Sequence, residues 1–436
     1  MLLKIIILVS LLFINPSNGN AQLSANLKQA RKDVAKLTSA KMAGRGYIKN
    51  GHTKAAKYIA KRWEKIGVKP SSQNNNDYFQ YFDFTCNTIT TAQLSINGTK
   101  LVHGMEYIVH EESGAGSGNV KSYYLGYGID KEEYSKANGK VVVVYQGLPD
   151  SISSIPERKK VYQEIAKTAT KIALAKSAGA KAIILLTTKL TASLDQQSLD
   201  FPIFQIQTNA TILPSLLTKE TDIKFQIETK TQPVHSQNVI GYIPATTTTD
   251  SVIIISAHYD HLGKQGKIYF PGANDNGSGI ATLLHFADYF HAHPLQKYNV
   301  VLIAFGAEEI GLLGSDFYAN KQPIYPLEKT KFILNIDLMG AGEEGITLVG
   351  GRELPNYVAQ METINKDIQA VPTIKTRNNA PNSDHYYFLK KGVKGFFIYT
   401  MGGPKHYHDV EDTADHLLFS NFDKLSLLLT KFIEGI

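Results

Sequence analysis

Histidines and carboxylates follow four apolar segments in the C-terminal half of the chain, at 252–256, 300–305, 332–336 and 395–399. The residues that follow them are, in this order, His258 and Asp260, Glu308 and Glu309, Asp337, and His408. Asp275 stands just before an expected helix that begins near Gly277. Imidazole and carboxylate groups are the usual ligands of zinc sites that contain no cysteine. The spacing therefore predicts a metal site.

Each of these residues alone has a simpler explanation. An isolated aspartate before a helix is usually an N-cap, and two glutamates commonly begin a helix, where they suit its dipole. The coincidence carries the prediction, because ligands of open α/β sheets bind beyond the carboxyl ends of the strands. Five such groups at strand ends indicate one common site.

The residue types also suggest how such a site would work. Two zinc ions about 3.5–4 Å apart need a carboxylate between them and a shared hydroxide. The neighbours Glu308 and Glu309 can divide the work, since one can reach a metal while the other faces the water. Asp260, two residues after His258, can accept the second imidazole N–H and orient the ring.

The elements that must position these residues are short, almost wholly apolar strands. Strands of this kind are buried on both faces, which predicts an α/β fold with a mostly parallel or mixed sheet flanked by helices. Helical periodicity predicts helices over 27–37 and 52–66. Between residues 85 and 237 the composition shifts to Thr, Ser, Gly and β-branched residues, which predicts an inserted smaller α/β or β-rich domain. Its expected elements are strands at 140–145, 182–186 and 201–206 and one helix over about 153–178.

The N-terminus has the pattern of a secretory signal peptide. Lys4 precedes an apolar run over 5–14, and small residues follow up to Ala21. The run is too short for a stable membrane span, which needs about 18 apolar residues. We therefore expect a signal peptide at 1–21, cleavage near Ala21–Gln22, and a periplasmic or secreted protein. The expected domains are then 22–84 and 238–436 for the two parts of the main domain, and 85–237 for the insertion.

Composition excludes several other classes. A chain of 436 residues with 43% hydrophobic and 19% charged residues is neither disordered nor fibrous. The net charge of +7 is scattered, so we expect no nucleic-acid partner. Cys86 is the single cysteine, which excludes a cysteine-rich zinc site and favours a buried small side chain over a nucleophile.

Several motifs resemble those of the co-catalytic zinc aminopeptidase family, which includes bacterial leucyl aminopeptidases and, more distantly, glutamate carboxypeptidase and glutaminyl cyclase. The matching stretches are 44–47 (GRGY), 256–261 (SAHYDH), 272–279 (GANDNGSG), 308–309 (EE), 335–337 (NID), 383–385 (SDH) and 408–413 (HDVEDT). The middle block is similar, less specifically, to the protease-associated domain inserted in many relatives.

The resemblance implies an enzyme with two zinc ions per chain that removes residues from peptides with a free N-terminus. By motif, His258 and Asp337 would hold one zinc, Glu309 and His408 the other, and Asp275 would bridge the two ions. The resemblance further implies that Glu308 is the general base and that Asp260 orients His258, which makes these two the catalytic pair.

Alternatives remain open on the same scaffold. A carboxypeptidase or dipeptidase would hold a substrate carboxylate with arginines, for which Arg352 and Arg377 are candidates. Glutaminyl cyclases of this fold use one zinc, and non-catalytic binding proteins lose metal ligands, so the full ligand set disfavours both. Several relatives carry an oxyanion-stabilising tyrosine where this chain has 377–382 (RNNAPN), so the donor is not predicted. Oligomeric state and the preferred N-terminal residue are not predicted either.

Overall fold

The computed structural model describes residues 17–218 and 220–436. The apolar run over 5–14, on which the signal-peptide prediction rests, lies outside the described residues. The described chain begins with two helices, α1 (Ser17–Leu37) and α2 (Gly51–Ile66), so both predicted N-terminal helices are confirmed and α1 starts ten residues earlier than expected. Among the described residues, no helix has the length and apolar character needed to cross a membrane.

A strand-rich region follows. Its strands are β1 (Lys69–Pro70), β2 (Phe79–Ile96), β3 (Thr99–Lys100), β4 (Tyr107–Val109), β5 (Gly116–Tyr124), β6 (Val141–Tyr145), β7 (Ala182–Thr187), β8 (Ile203–Gln207) and β9 (Asp222–Ile243). Its helices are α3 (Asp150–Ser153), α4 (Pro156–Val161), α5 (Gln163–Ala166), α6 (Thr168–Ser177) and α7 (Leu213–Leu216). The three predicted strands of this region are confirmed within two residues.

The single helix predicted over 153–178 is wrong. Four short helices, α3 to α6, occupy 150–177 instead. Pro156 is the first residue of α4, and a proline pushes the residue before it out of the helical region, as Ile155 shows with φ −109° and ψ 109°. Lys167 is extended as well, which separates α5 from α6.

Two long strands connect this region to the rest of the molecule. β2 and β9 pair in antiparallel register from Phe79 opposite Val239 to Ile96 opposite Ile223. β9 also pairs with a strand of the main sheet at its far end. The predicted domain limits at 85 and 237 both fall inside this two-stranded ribbon, so the chain enters and leaves the middle region without a linker. The division into domains stays a prediction.

The C-terminal half contains the remaining elements. Its strands are β10 (Val252–His258), β11 (Lys264–Gln265), β12 (Ile268–Tyr269), β13 (Asn299–Phe305), β14 (Thr330–Ile336), β15 (Gly345–Val349), β16 (Ile374–Arg377) and β17 (Gly395–Met401). Its α-helices are α8 (Gly279–Ala292), α9 (Leu313–Asp316), α10 (Pro355–Ile368), α11 (Tyr386–Lys390) and α12 (Phe422–Glu434).

The main sheet has the strand order β16-β15-β17-β14-β10-β13-β9. β17, β14, β10 and β13 run parallel, whereas β15 is antiparallel to β17 and β9 is antiparallel to β13. The predicted mixed α/β sheet is therefore confirmed. All four parallel strands end at the same edge, which is the edge the polar residues occupy.

Burial on both faces explains why these strands are apolar throughout. In β10, Ile253 and Ile255 pack into one core with side chains of α2, α8, α10 and α12. Val252 and Ile254 pack into a second core on the opposite face, together with Phe388 of α11. Helices thus cover both faces, and only the strand ends are free to carry polar groups.

Candidate metal centre

The structure brings together all five predicted metal ligands at the carboxyl edge of the parallel strands. His258 is the last residue of β10, Glu309 lies in the turn after β13, and Asp337 directly follows β14. Asp275 lies in a turn that leads into α8, and His408 lies in the loop after β17. All but Glu309 are at most 9% exposed, and Glu309 is largely buried.

The distances divide the cluster into two halves that share Asp275. His258 Nε2 lies 3.3 Å from Asp275 Oδ1 and 3.3 Å from Asp337 Oδ2. His408 Nε2 lies 3.0 Å from Asp275 Oδ2 and 3.1 Å from Glu309 Oε2. Each carboxylate oxygen of Asp275 therefore faces a different imidazole, with a second carboxylate beside each.

The charge of the cluster suits divalent cations. Burial and the neighbouring carboxylates raise the pKa of Glu308 well above its usual range. Burial alone would lower the pKa of His408, yet Glu309 and Asp275 outweigh it and raise that pKa to about 11. Asp337 Oδ1 is buried without a hydrogen-bond partner. Buried carboxylates in excess of their cationic partners are costly unless a metal coordinates them, so the donor set fits bound zinc.

The turn that carries Asp275 is held by two buried groups to which the sequence assigned no role. The Arg45 side chain donates to the backbone carbonyls of Tyr259 (2.8 Å), Pro271 (2.6 Å), Gly272 (2.8 Å) and Asp275 (3.0 Å). Asp412 accepts from the backbone N–H groups of Asn274 (2.8 Å) and Asp275 (3.0 Å). The positive side chain of Arg45 thus binds the carbonyl groups of this turn, and the negative side chain of Asp412 binds its N–H groups.

The glycines on either side of Arg45 allow this approach. A Cβ at Gly44 would lie 2.3 Å from the carbonyl oxygen of Gly263, and one at Gly46 would lie 2.3 Å from the Gly263 Cα. Gly44 also has φ +63°, which other residues rarely adopt. The Gly-Arg-Gly pattern is the sequence feature that could have indicated this role of Arg45. The two glycines let the backbone beside the arginine approach another segment of the chain.

Asp260 is placed differently from the sequence prediction. Its carboxylate Oδ1 is 3.9 Å from His258 Nδ1, whereas its own backbone carbonyl is 3.3 Å from that nitrogen. The carboxylate instead accepts from the backbone N–H of Glu308 (3.1 Å) and from the Tyr47 hydroxyl (3.1 Å). Asp260 therefore positions the turn of Glu308 with its side chain and His258 with its main chain.

Two further side chains support the ligands, and neither role was predicted. His261 Nδ1 lies 2.6 Å from Glu309 Oε1, which leaves Oε2 to face His408. Burial would raise the pKa of Glu309, but His408 and His261 outweigh it and lower that pKa to about 2. The Ser383 hydroxyl lies 3.4 Å from Asp337 Oδ2 and accepts from Asn335 Nδ2 at 2.8 Å.

Other candidates of the sequence lie apart from the cluster. Cys86 is fully buried, and burial raises the pKa of its thiol to about 12, which agrees with a packing role. Arg352 and Arg377 are exposed, and Arg377 donates to the Tyr399 hydroxyl at 3.3 Å.

A sheet whose strand ends gather imidazoles and carboxylates in this way presents a donor set that suits divalent metal ions. Residues 238–433 match the family model described as Peptidase family M28. Aminopeptidase YwaD of Bacillus subtilis is 26% identical over 440 residues, which cover 95% of this chain and 86% of that protein.

Solved structures share the fold over nearly the whole chain. A zinc aminopeptidase from Bacillus subtilis, BSAP, superposes with a TM-score of 0.69 at 21% identity and covers 94% of both chains. A Peptidase M28 precursor from Shewanella amazonensis superposes with a TM-score of 0.66 at 16% identity, over 95% of this chain and 96% of the other. The likeness includes the middle region as well as the main sheet.

Proposed function

We propose that the chain is a zinc-dependent aminopeptidase that hydrolyses the N-terminal peptide bond of peptides and holds two zinc ions. The position of Asp275 carries this proposal, because its two oxygens face two separate imidazole–carboxylate pairs. The match of residues 238–433 to Peptidase family M28 and the 26% identity to an aminopeptidase over most of the chain support it.

The ligands would divide between the ions as follows. His258 and Asp337 would hold one zinc, His408 and Glu309 the other, and Asp275 would contact both. Zinc bound there would polarise the scissile carbonyl and lower the pKa of a bound water. His261 and Ser383 would keep one carboxylate oxygen of Glu309 and one of Asp337 in fixed positions.

Glu308 would move the proton. Its Oε2 lies 4.0 Å from His258 Nε2, which is farther than the 3.0–3.3 Å contacts between the imidazoles and carboxylates proposed as metal ligands. Its backbone is fixed by Asp260, which leaves the side chain directed at the cluster. Glu308 would take a proton from the attacking water and return it to the nitrogen of the departing amine, so that it ends the cycle as it began.

Tyr407 is our candidate for the oxyanion donor that the sequence left open. Its ring stacks on His408 with the ring centroids 3.9 Å apart and the planes inclined by 13°. Partial burial of this half-exposed side chain and the negative charges of Asp275 and Glu309 raise the pKa of its hydroxyl, which therefore stays protonated. A neutral hydroxyl beside the cluster can donate to an oxygen that becomes negative during attack.

We expect Tyr407→Phe to lower kcat by about 10²-fold with KM and zinc content unchanged, because the donor acts mainly in the transition state. Steady-state kinetics and elemental analysis would measure this. Tyr81→Phe is the matched control, since Tyr81 is also a half-exposed tyrosine stacked on a histidine, His235, with centroids 4.9 Å apart. A kcat equal to that of the control would remove Tyr407 from the mechanism.

A substrate panel tests the proposed function. We expect hydrolysis of aminoacyl arylamides with a free amine, no hydrolysis of their N-acetylated forms, loss of activity after treatment with a chelator, and recovery with zinc. Release of C-terminal residues from N-acetylated peptides would instead identify a carboxypeptidase, and cyclisation of N-terminal glutamine would identify a cyclase. Either result would overturn the proposal.

We also propose that the protein is exported, on the support of the pattern Lys4, 5–14 and Ala21. The mass of the protein recovered from outside the cytoplasm should then correspond to a chain that begins near Gln22. A protein that retains residues 1–21, or that stays in the cytoplasm, would contradict export without affecting the proposed activity.

A further inference from the structure

A short segment of the middle region contacts His408 directly. The segment 189–192 follows β7, more than 200 residues before His408 in the chain. His408 Nδ1 lies 2.8 Å from the backbone carbonyl oxygen of Ala192, and the backbone N–H of Ala192 donates to the His408 carbonyl at 3.0 Å. One residue of the middle region thus binds both the side chain and the main chain of His408.

Lys189 fastens the loop on which His408 lies. Its Nζ donates to the carbonyl oxygens of Lys405 (2.8 Å) and Tyr407 (2.9 Å) and lies 3.5 Å from the Asp409 carboxylate. Within the described part of the chain, the hydrogen bonds that residues 405–408 make outside the metal cluster go to Lys189 and Ala192. The middle region therefore supplies these hydrogen bonds to residues 405–408.

His408 needs such support because of its backbone conformation. Its φ is +57°, in the left-handed region that a residue with a Cβ rarely adopts. A residue in this conformation keeps it only when its surroundings enforce it. The two hydrogen bonds to Ala192 hold His408 at its ring and at its backbone carbonyl, and so help to enforce this conformation.

The contact also determines which ring nitrogen can bind a metal. A carbonyl oxygen accepts only from a protonated nitrogen, so Ala192 keeps the hydrogen on Nδ1. Nε2, which faces Asp275 and Glu309, is then the nitrogen left to coordinate. Residues that orient a metal-binding histidine in this way typically change metal affinity about 10–100-fold when they are lost.

We propose that the segment 189–192 is a positioning element of the metal centre, so that the middle region controls how tightly the His408 half of the cluster binds its ion. This inference rests on the proposed function for the role of His408. It makes Lys189 and Ala192 positioning residues, which act through the loop 405–409 and not on the substrate.

Lys189→Met tests the proposal, because methionine keeps most of the apolar stem and loses the ammonium donors. We expect one of two zinc ions to bind about 10-fold more weakly in a chelator competition with zinc alone, and the other to bind as in the unchanged protein. In the metal-free protein, amide hydrogen exchange of 402–410 should be faster. Lys189→Arg should recover part of the affinity.

Lys136→Met is the matched control, since Lys136 is an exposed lysine of the same region that pairs with nearby Glu133. Ala192→Pro is a second variant that removes the N–H donor to His408. Unchanged zinc affinity and unchanged exchange of 402–410 in both variants would overturn the proposal. A wild-type protein that binds no zinc would instead overturn the proposed function, while the exchange measurement would still test the contact.

Discussion

Glu308→Gln is expected to retain both zinc ions and to lose about 10²–10⁴-fold in kcat, the range that a positioned general base usually contributes. Glutamine has nearly the same shape as glutamate but cannot accept and return a proton. The backbone N–H of residue 308 would still donate to Asp260, so the turn after β13 should keep its conformation. None of the short contacts in the two imidazole–carboxylate pairs involves Glu308.

The measurement combines kcat on a free-amine arylamide with zinc content by elemental analysis. Glu328→Gln is the control, because Glu328 is an exposed glutamate at the start of a surface turn. A Glu308→Gln protein with two ions and an unchanged rate would show that another group moves the proton. Loss of zinc from this variant would mean that Glu308 is itself a ligand, beside His258 and Asp337, and not the general base.

Much of the main sheet was predictable, because strands buried on both faces must be apolar along their whole length. Ile253 and Ile254 pack into different cores, which explains why both neighbouring positions are apolar. Strand ends were less predictable: β10 continues to His258, since a histidine whose side chain faces the carboxylate cluster can still take part in the ladder. The clustering of the five residues predicted as ligands could be anticipated, because each lies next to such a strand or at a helix start.

The groups that position the ligands could not be predicted in the same way. Arg45, Asp412 and Ala192 act through contacts with residues far away in the chain, and nothing in their own neighbourhood indicates the partner. The contact of Ala192 uses its backbone carbonyl, which every residue type carries, so the residue type does not indicate the contact. The sequence likewise could not show that the backbone carbonyl of Asp260 would lie nearer to His258 Nδ1, at 3.3 Å, than the Asp260 carboxylate, at 3.9 Å.

In the middle region, the strands were predicted correctly from the sequence, whereas the helices and the boundaries of the region were harder to predict. Its strands were recognised for the same reason as those of the main sheet, since Val141 and Val142 face two different cores. Its helices were not, because helical composition continues through Pro156 while the backbone cannot. The ribbon of β2 and β9 crosses the expected boundaries, so a change in composition did not coincide with a break in structure.

Asp275→Asn is expected to reduce bound zinc from two ions to at most one and to lower kcat by at least about 10²-fold. An amide presents a single acceptor oxygen, so residue 275 could serve only one half of the cluster. The other side of the turn should not change, because Asp412 and Arg45 bind the backbone N–H and carbonyl of residue 275 and not its side chain. The loss should therefore come from the metal centre and not from misfolding.

Zinc content, kcat and the zinc-dependent rise in Tm would be measured together, with Asp250→Asn as the control at an exposed aspartate that pairs with Lys329. Ligands that bind only the folded state raise Tm, so the variant should show a smaller rise with zinc than the control. If Asp275→Asn still binds two ions with an undiminished rise in Tm, then Asp275 does not join the two halves. Glu309 or Asp337 would have to do so, although the short contact of Glu309 is with His408 and that of Asp337 is with His258.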